Sequence, residues 1–260
     1  MLQKYFKIWV MMARNSFITW ISKWPNFIVF VSGKMVRYIF YFVFLYFLMK
    51  NTNGLAEYTG NQVLFFVATY TLIDTIAQFL FRSVYTFRSM VISGDFDLIL
   101  IRPINPLFRV LVGGPDPMDF ITIPPIIFVV YYIGSMLSPL PLGVLYYILL
   151  VLNGLLISMA FHIAVLSLGI ITLEVDHMIM IYRDLVSMGR LPIDIYKEPL
   201  KSILTFVVPV GLMVSVPAKA ILGLISPMGV ISSLIFGIAL FMLTLKFWTY
   251  ALKKYSSASS

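Results

Sequence analysis

The chain carries a succession of apolar stretches, each near the length that crosses a bilayer, separated by short polar breaks. A helix rises 1.5 Å per residue and a bilayer's hydrocarbon core is about 30 Å thick, so about 20 apolar residues span it. Such stretches lie at 26–49, 62–81, 119–137, 142–173 and 228–245, and a sixth starts near Ser202 and meets Pro209. With 60% hydrophobic and 12% charged residues, the chain falls outside the balance of water-soluble domains and is expected to be an all-α integral membrane protein.

The composition also excludes some chemistries. Cysteine is absent, which removes disulfides, thiolate nucleophiles and cysteine-ligated metals. His162 and His177 are the only histidines, too few for an imidazole metal cluster. In a membrane protein the net charge of +8 is read through its distribution along the chain, and no nucleic-acid partner is expected from it.

Residues 3–22 are expected to lie along the membrane surface. Phe6, Trp9, Ala13, Phe17 and Trp20 recur at helical spacing, with Lys4, Lys7 and Arg14 on another side. Pro25 marks the turn out of this segment, residues 1–25, and no small-residue cleavage pattern suggests a signal peptide. The membrane domain then occupies residues 26–250, followed by a tail at 251–260.

The first span carries Lys34 and Arg37, and the second, reached through a loop with Asn51, Asn53, Gly54 and Gly60, carries Asp74. A polar segment at 82–117 contains Arg82, Arg88, Arg102 and Arg109. The third span ends at Ser138-Pro139-Leu140-Pro141, and the fourth is long enough that it must tilt, break near Asn153-Gly154, or extend beyond the bilayer. A second polar segment, 174–201, holds Arg183, Arg190, Lys197 and Lys201. Beyond it, Pro209, Pro217 and Pro227 argue for a kinked span and a surface turn. Placing 1–25, 82–117, 174–201 and 246–260 on one side gathers most of the Lys and Arg there and leaves Lys50 and Lys219 opposite. By the positive-inside rule, that distribution implies six spans with both termini cytoplasmic.

Two features stand out as candidate sites. Lys34 and Asp74 each lie about eight residues from the cytoplasmic boundary, about 12 Å into the membrane, where an ion pair could fix the first span against the second. The other is Ser93–Phe108, too apolar for a solvated loop and too short to span. It reads as a short helix with Gly94 as the preceding stop, Asp95 as N-cap, Asp97 in the first turn, and a rigid exit through Arg102-Pro103 and Pro106. Its apolar run, Leu98 to Ile101, is expected to need cover from a partner protein, the membrane surface or the rest of this chain. His162 reads as a satisfied core histidine. Gly33-Lys34 is followed by Met35, so no phosphate-binding GxxxxGK[ST] loop exists, and no catalytic triad, paired-carboxylate or HExxH motif appears.

Several segments in order resemble the permease subunits of bacterial ATP-binding-cassette (ABC) exporters of the type-2 branch. Ser93-Gly94-Asp95-Phe96-Asp97, Leu100, Arg102-Pro103 and Asn105-Pro106-Leu107-Phe108 are similar to the family's "S/R-G-x-x-D-x-x-L-x-R-P-x-x-P-L-F" signature. Leu191-Pro192-Ile193-Asp194-Ile195-Tyr196, Val208-Pro209, Pro217-Ala218 and the Lys253–Ser260 tail continue the likeness, whereas Glu174-Val175-Asp176-His177 is more acidic than the pattern.

The resemblance implies a connecting helix, six transmembrane helices and a coupling helix, in a multi-pass protein of the bacterial plasma membrane. It further implies cytoplasmic ABC ATPase subunits that bind ATP and Mg, with no cofactor on this chain, and a second permease chain, identical or related. The substrate would be an unidentified drug, lipid or other amphiphile moved through surrounding lipid. Phe96, Leu98, Ile99 and Leu100 would supply packing against the ATPase, and Asp95, Asp97 and Arg102 polar contacts, with Pro103 bracing the helix. An ATPase-independent secondary transporter or channel would instead predict inverted repeats, which the two halves do not show. A membrane scaffold would need no path at all.

Overall fold

The computed structural model describes residues 2–52, 54–55, 57–172 and 175–255; Asn53, Leu173, Glu174 and the tail residues 256–260, all read above, lie outside them. The described residues form α1 (Leu2–Ile21), α2 (Trp24–Lys50), α3 (Gly60–Phe81), α4 (Phe87–Ile92), α5 (Asp95–Leu100), α6 (Pro106–Val112) and α7 (Pro117–Met136). After these come α8 (Pro141–Thr172), α9 (Val175–Ser187), α10 (Leu200–Val207), α11 (Gly211–Ile221) and α12 (Pro227–Lys254), and no strand occurs among the described residues. Helices α2, α7, α8, α12, and α3 with its continuation to Ile92, are long and apolar enough to cross a membrane. The loop between α2 and α3 defines an upper end; the segment between α3 and α7 defines a lower end.

The sequence explains most helix boundaries. Proline occupies the first turn of α2, α6, α7 and α12, where its missing N–H costs nothing. Thr59 and Gln62 form a reciprocal capping box on α3, while Asp116 and Ser226 accept from the first-turn amides of α7 and α12.

Helix α8 is the central post. Its 32 residues rise about 48 Å, and the helix runs unbroken through Asn153-Gly154. Of the expected alternatives, the break near Asn153-Gly154 does not occur, and at its lower end Gly169 packs on Val175 and Phe87. Asn153 and Gly154 are a packing point: the Asn153 amide donates to the Ser233 carbonyl of α12 at 2.9 Å. A Cβ at Gly154 would collide with the Met213 carbonyl oxygen, and one at Gly237 with the Asn153 side chain. Small residues thus let three backbones approach closely, a common means of helix association in lipid.

The segment at 174–201 differs from its expected place in a cytoplasmic loop. Asp176 at the start of α9 faces Arg88 at the lower end, 3.8 Å away. Midway, the Tyr182 and Ser158 hydroxyls meet at 2.9 Å, and Arg190 then donates to the Tyr70 hydroxyl of α3 at 3.4 Å. Asp194 finally accepts a hydrogen bond from Tyr58, just before α3, at the upper end. Residues 175–194 therefore traverse the full height of the molecule. Of the charges that mark a loop in sequence, Asp176, Arg183 and Asp184 lie on α9, whose buried stripe is Val175, Ile179, Tyr182 and Val186, and Arg190 and Asp194 lie in the 3₁₀ turns that follow it.

The sixth apolar stretch does not traverse. Helices α10 and α11 are bent against each other by 75° around Pro209, with π-helical turns at Ile203–Val207 and Gly211–Ser215. Lys201 at the start of the pair and Lys219 near its end both reach the Asp194 carboxylate, at 2.9 and 2.8 Å. One carboxylate holds both ends of the pair, so the chain enters and leaves on the same side as a re-entrant hairpin. Among the described residues the chain passes between the two ends through α2, α3, α7, α8 and α12, and residues 175–194, which begin with α9, run between them once more.

Burial opposes ionisation of Asp194, but hydrogen bonds from Lys219, Lys201 and Tyr58 outweigh it and hold the carboxyl at about 2, below its ordinary value of 3.8. A lowered carboxylate pKa stabilises the fold above the ordinary value, and that contribution is lost as pH falls through the folded one. Asp194→Asn is expected to speed amide hydrogen exchange across residues 200–221 at neutral pH. In the native protein the same loosening is expected only between about pH 4 and pH 2. Unchanged exchange in the variant would remove the clamp from this account.

Candidate functional site

The lower end is built from the segment joining α3 to α7. After a 3₁₀ turn at Arg82–Thr86, α4 and α5 meet at Gly94, whose φ of 77° is the left-handed conformation that favours glycine. Gly94, without a side-chain cap, occupies the N-cap position expected for Asp95; Asp95 is the first helical residue, and its carboxylate accepts from the Ser93 hydroxyl at 2.7 Å. Asn105 caps α6 by accepting from the Phe108 amide at 3.2 Å, with Pro106 following.

Helix α5 has two faces. Phe96 is 0% exposed and packs edge-on to Phe87, Trp248 and Tyr255, with centroids 5.0, 6.4 and 5.1 Å away. Together with Ile99 it belongs to a core that includes Phe81, Val110, Leu166, Val175 and Ala251. Phe96 and Ile99 were expected to pack against a partner, but this chain covers them itself, because they point from a short amphipathic helix into the ends of α8, α9 and α12. The uncovered face comprises Leu98 (51% exposed) and Ile101 (80% exposed), beside exposed Asp95, Arg102 and Pro103; Leu100 is half-buried. Asp97 lies next to Tyr255, and burial, followed by the neighbouring carboxylate, pushes the phenol up to about 12.

Helix α1 braces this region from the side. Tyr5 packs edge-on to Phe108 at 4.9 Å and its hydroxyl accepts from the Asn105 amide, while Phe17 meets Phe120 at 5.6 Å. Ser16 donates to the Pro115 carbonyl at 2.7 Å.

A second polar site lies higher, between α2, α3, α7 and α9. Lys34 makes its ion pair with Asp119 on α7, and no direct Lys34–Asp74 pair forms among the described residues. Asp119 is buried at the lower start of α7, read from sequence as the start of the third span; its burial appears only once α7 is packed. Asp74 lines the same cavity, of about 380 Å³, with Gln78 hydrogen-bonded to it and Arg183 as its strongest cationic neighbour. Arg82 pairs with Asp116 at 3.5 Å below. His162 is enclosed, its Nδ1 donating to the Ser158 carbonyl at 2.8 Å, with Phe81 and Tyr182 against the ring. Among the described residues no group of His, Asp and Glu could hold a metal ion.

A helical membrane protein with a re-entrant hairpin, a rigid lower segment and ionised groups at depth has the form of a transporter's membrane component. The family described as ABC-2 family transporter protein matches residues 35–259, so the chain belongs to the ABC-2 family of transporter proteins. No curated protein and no solved structure matches the chain significantly. Family membership makes this chain an ABC transporter permease, the membrane component and not the ATPase itself.

Lys34→Asp or Asp119→Lys alone is expected to cost about 3–5 kcal/mol, the typical penalty for breaking a buried pair. Exchanging both charges should recover most of it, read as the thermal unfolding midpoint in detergent in a double-mutant cycle. Exchanging Lys34 with Asp74 should not; recovery in that second pair would return the partnership to Asp74.

Proposed function

We propose that this protein is the membrane-spanning subunit of an ATP-driven exporter, passing movement from a separate cytoplasmic ABC ATPase to the helices around a substrate path. The observation carrying this reading is the division of α5: one face is packed into the ends of α8, α9 and α12, while Leu98, Ile101 and Arg102 face outward. A docked ATPase would cover the outward face, and Phe96 would carry its displacement into α12 through Trp248. Two ATP-driven states of the ATPase would then bias two arrangements of the membrane helices, as linkage requires.

The lower end is cytoplasmic in this reading and holds both termini, with α1 at the inner surface of a bacterial plasma membrane and six crossings that include α9. Lys4, Lys7, Arg14, Arg88, Arg102, Arg109, Lys253 and Lys254 gather at that end, which agrees with the positive-inside rule. A second permease chain, identical or related, would complete the path, because Asp184 is exposed on α9 at a depth where lipid alone would leave it uncovered. ATP and Mg belong to the ATPase subunits. The substrate is a drug, lipid or other amphiphile.

Leu98→Asp with Ile101→Asp is expected to abolish co-purification of the ATPase subunit while leaving the thermal midpoint of the permease within about 2 °C, since surface changes cost little. Phe96→Ala should act differently, lowering stability by about 3–5 kcal/mol through the cavity it leaves. Retained ATPase together with vanadate-sensitive transport in the Leu98/Ile101 variant would overturn the docking assignment.

A further inference from the structure

The polar cavity between α2, α3 and α9 is built from more positive charge than its own carboxylates answer. Lys34 is taken by Asp119 and Arg82 by Asp116, which leaves Asp74 facing Arg183. Arg37 and Arg190 have no carboxylate within ion-pair distance among the described residues. Arg37 rests over the Tyr38 ring at 5.3 Å, and Arg190 lies 5.7 Å from the Tyr70 ring centre with its Nε on the Tyr70 hydroxyl. Two adjoining spaces, of about 380 and 210 Å³, share Arg37, Tyr38, Asp74 and Arg183 as walls, and Arg190 closes the second.

The same Tyr38 also lines a much larger apolar groove, of about 910 Å³, between α2 and α7. The groove exists because α2 buries only Leu45 and Met49 and is held lower down by polar contacts, Lys34 to Asp119 and the Tyr38 hydroxyl to Thr75 at 3.3 Å. Phe42, Phe47, Ile126 and Tyr132 are among its walls. A cation-rich cavity and an apolar groove therefore lie on either side of one shared wall residue, Tyr38.

We infer that this site binds an amphiphile with a phosphate head group, the head on Arg37 and Arg190 and the chain in the α2–α7 groove. The assignment rests on the permease reading and names its substrate class. Two guanidinium groups with no carboxylate at ion-pair distance among the described residues match a phosphate monoester, which carries about −1.5 to −2 charges at neutral pH. Their planar forks suit its oxygens, and a single aliphatic chain suits a groove with apolar walls.

The test is native mass spectrometry of the purified full chain in a maltoside detergent, titrated separately with dodecyl phosphate, dodecyltrimethylammonium and inorganic phosphate. Dodecyl phosphate is expected to bind at a single site, with affinity reduced about tenfold or more in Arg37→Gln with Arg190→Gln and partly retained in Arg37→Lys. Equal binding of the cationic amphiphile, or undiminished binding in the double variant, overturns the head-group assignment. Inorganic phosphate binding as tightly as dodecyl phosphate overturns the role of the groove. Should the double variant fail to fold, the comparison of anionic and cationic amphiphiles on the unaltered chain still decides. These variants leave α5 untouched and should keep the ATPase subunit, so a failed permease reading would show separately, as loss of co-purification from the unaltered chain.

Discussion

Ionised groups at membrane depth must be answered by other polar groups or by water, and the fold of this protein is arranged around that constraint on α9. The helix brings Arg183 to the level of Asp74 and carries the chain on to Arg190 beside Tyr70 and Asp194 beside Tyr58. The first two steps are met by α3, whose core-facing residues are among the most buried in the molecule, and the third by Tyr58 just before it with Lys201 and Lys219. Without those partners a segment as charged as 175–194 would stay in water and the chain would pass between the ends one time fewer. The same rule accounts for α2, which packs loosely but is held by Lys34 against Asp119.

Transmission depends on a different kind of contact. Phe96 sits among Phe87, Trp248 and Tyr255, joining α5 to the lower part of α12 and to the overhanging end of α8. Close-packed interiors transmit displacement because no void is available to absorb it. The left-handed turn at Gly94 and the capped start of α6 at Asn105 flank α5, and in the proposed reading movement imposed on Leu98 and Ile101 would pass through it to the membrane helices.

Much of this was legible in the sequence. The apolar lengths locate α2, α3, α7 and α8 and the start of α12 to within a few residues, although α12 runs on from the expected Leu245 to Lys254, and Ser93–Phe108 marks the lower segment. Several readings failed for physical reasons. Arg183, Asp184, Arg190 and Asp194 look like a loop because a hydropathy pattern registers charge but not its partners. The Val175, Ile179, Tyr182, Val186 stripe was the signal for a packed helix. The apolar residues of α5 divide between self-burial and exposure, and that division follows from tertiary packing that no local pattern reveals. Lys34 was recognisable as a charge needing a partner, but choosing Asp119 over Asp74 requires the packing of α7 against α2.

The passage of α9 from one end to the other is the claim on which the path, the hairpin and the charged cavity all stand. Because the chain lacks cysteine, single cysteines can report it without background. Cysteines at Lys197 and Asn105 would be exposed to a membrane-impermeant maleimide added to intact cells. The account expects labelling at position 197 and none at 105 until the cells are opened. Protection of both positions in intact cells would contradict it, returning 174–201 to the cytoplasmic side.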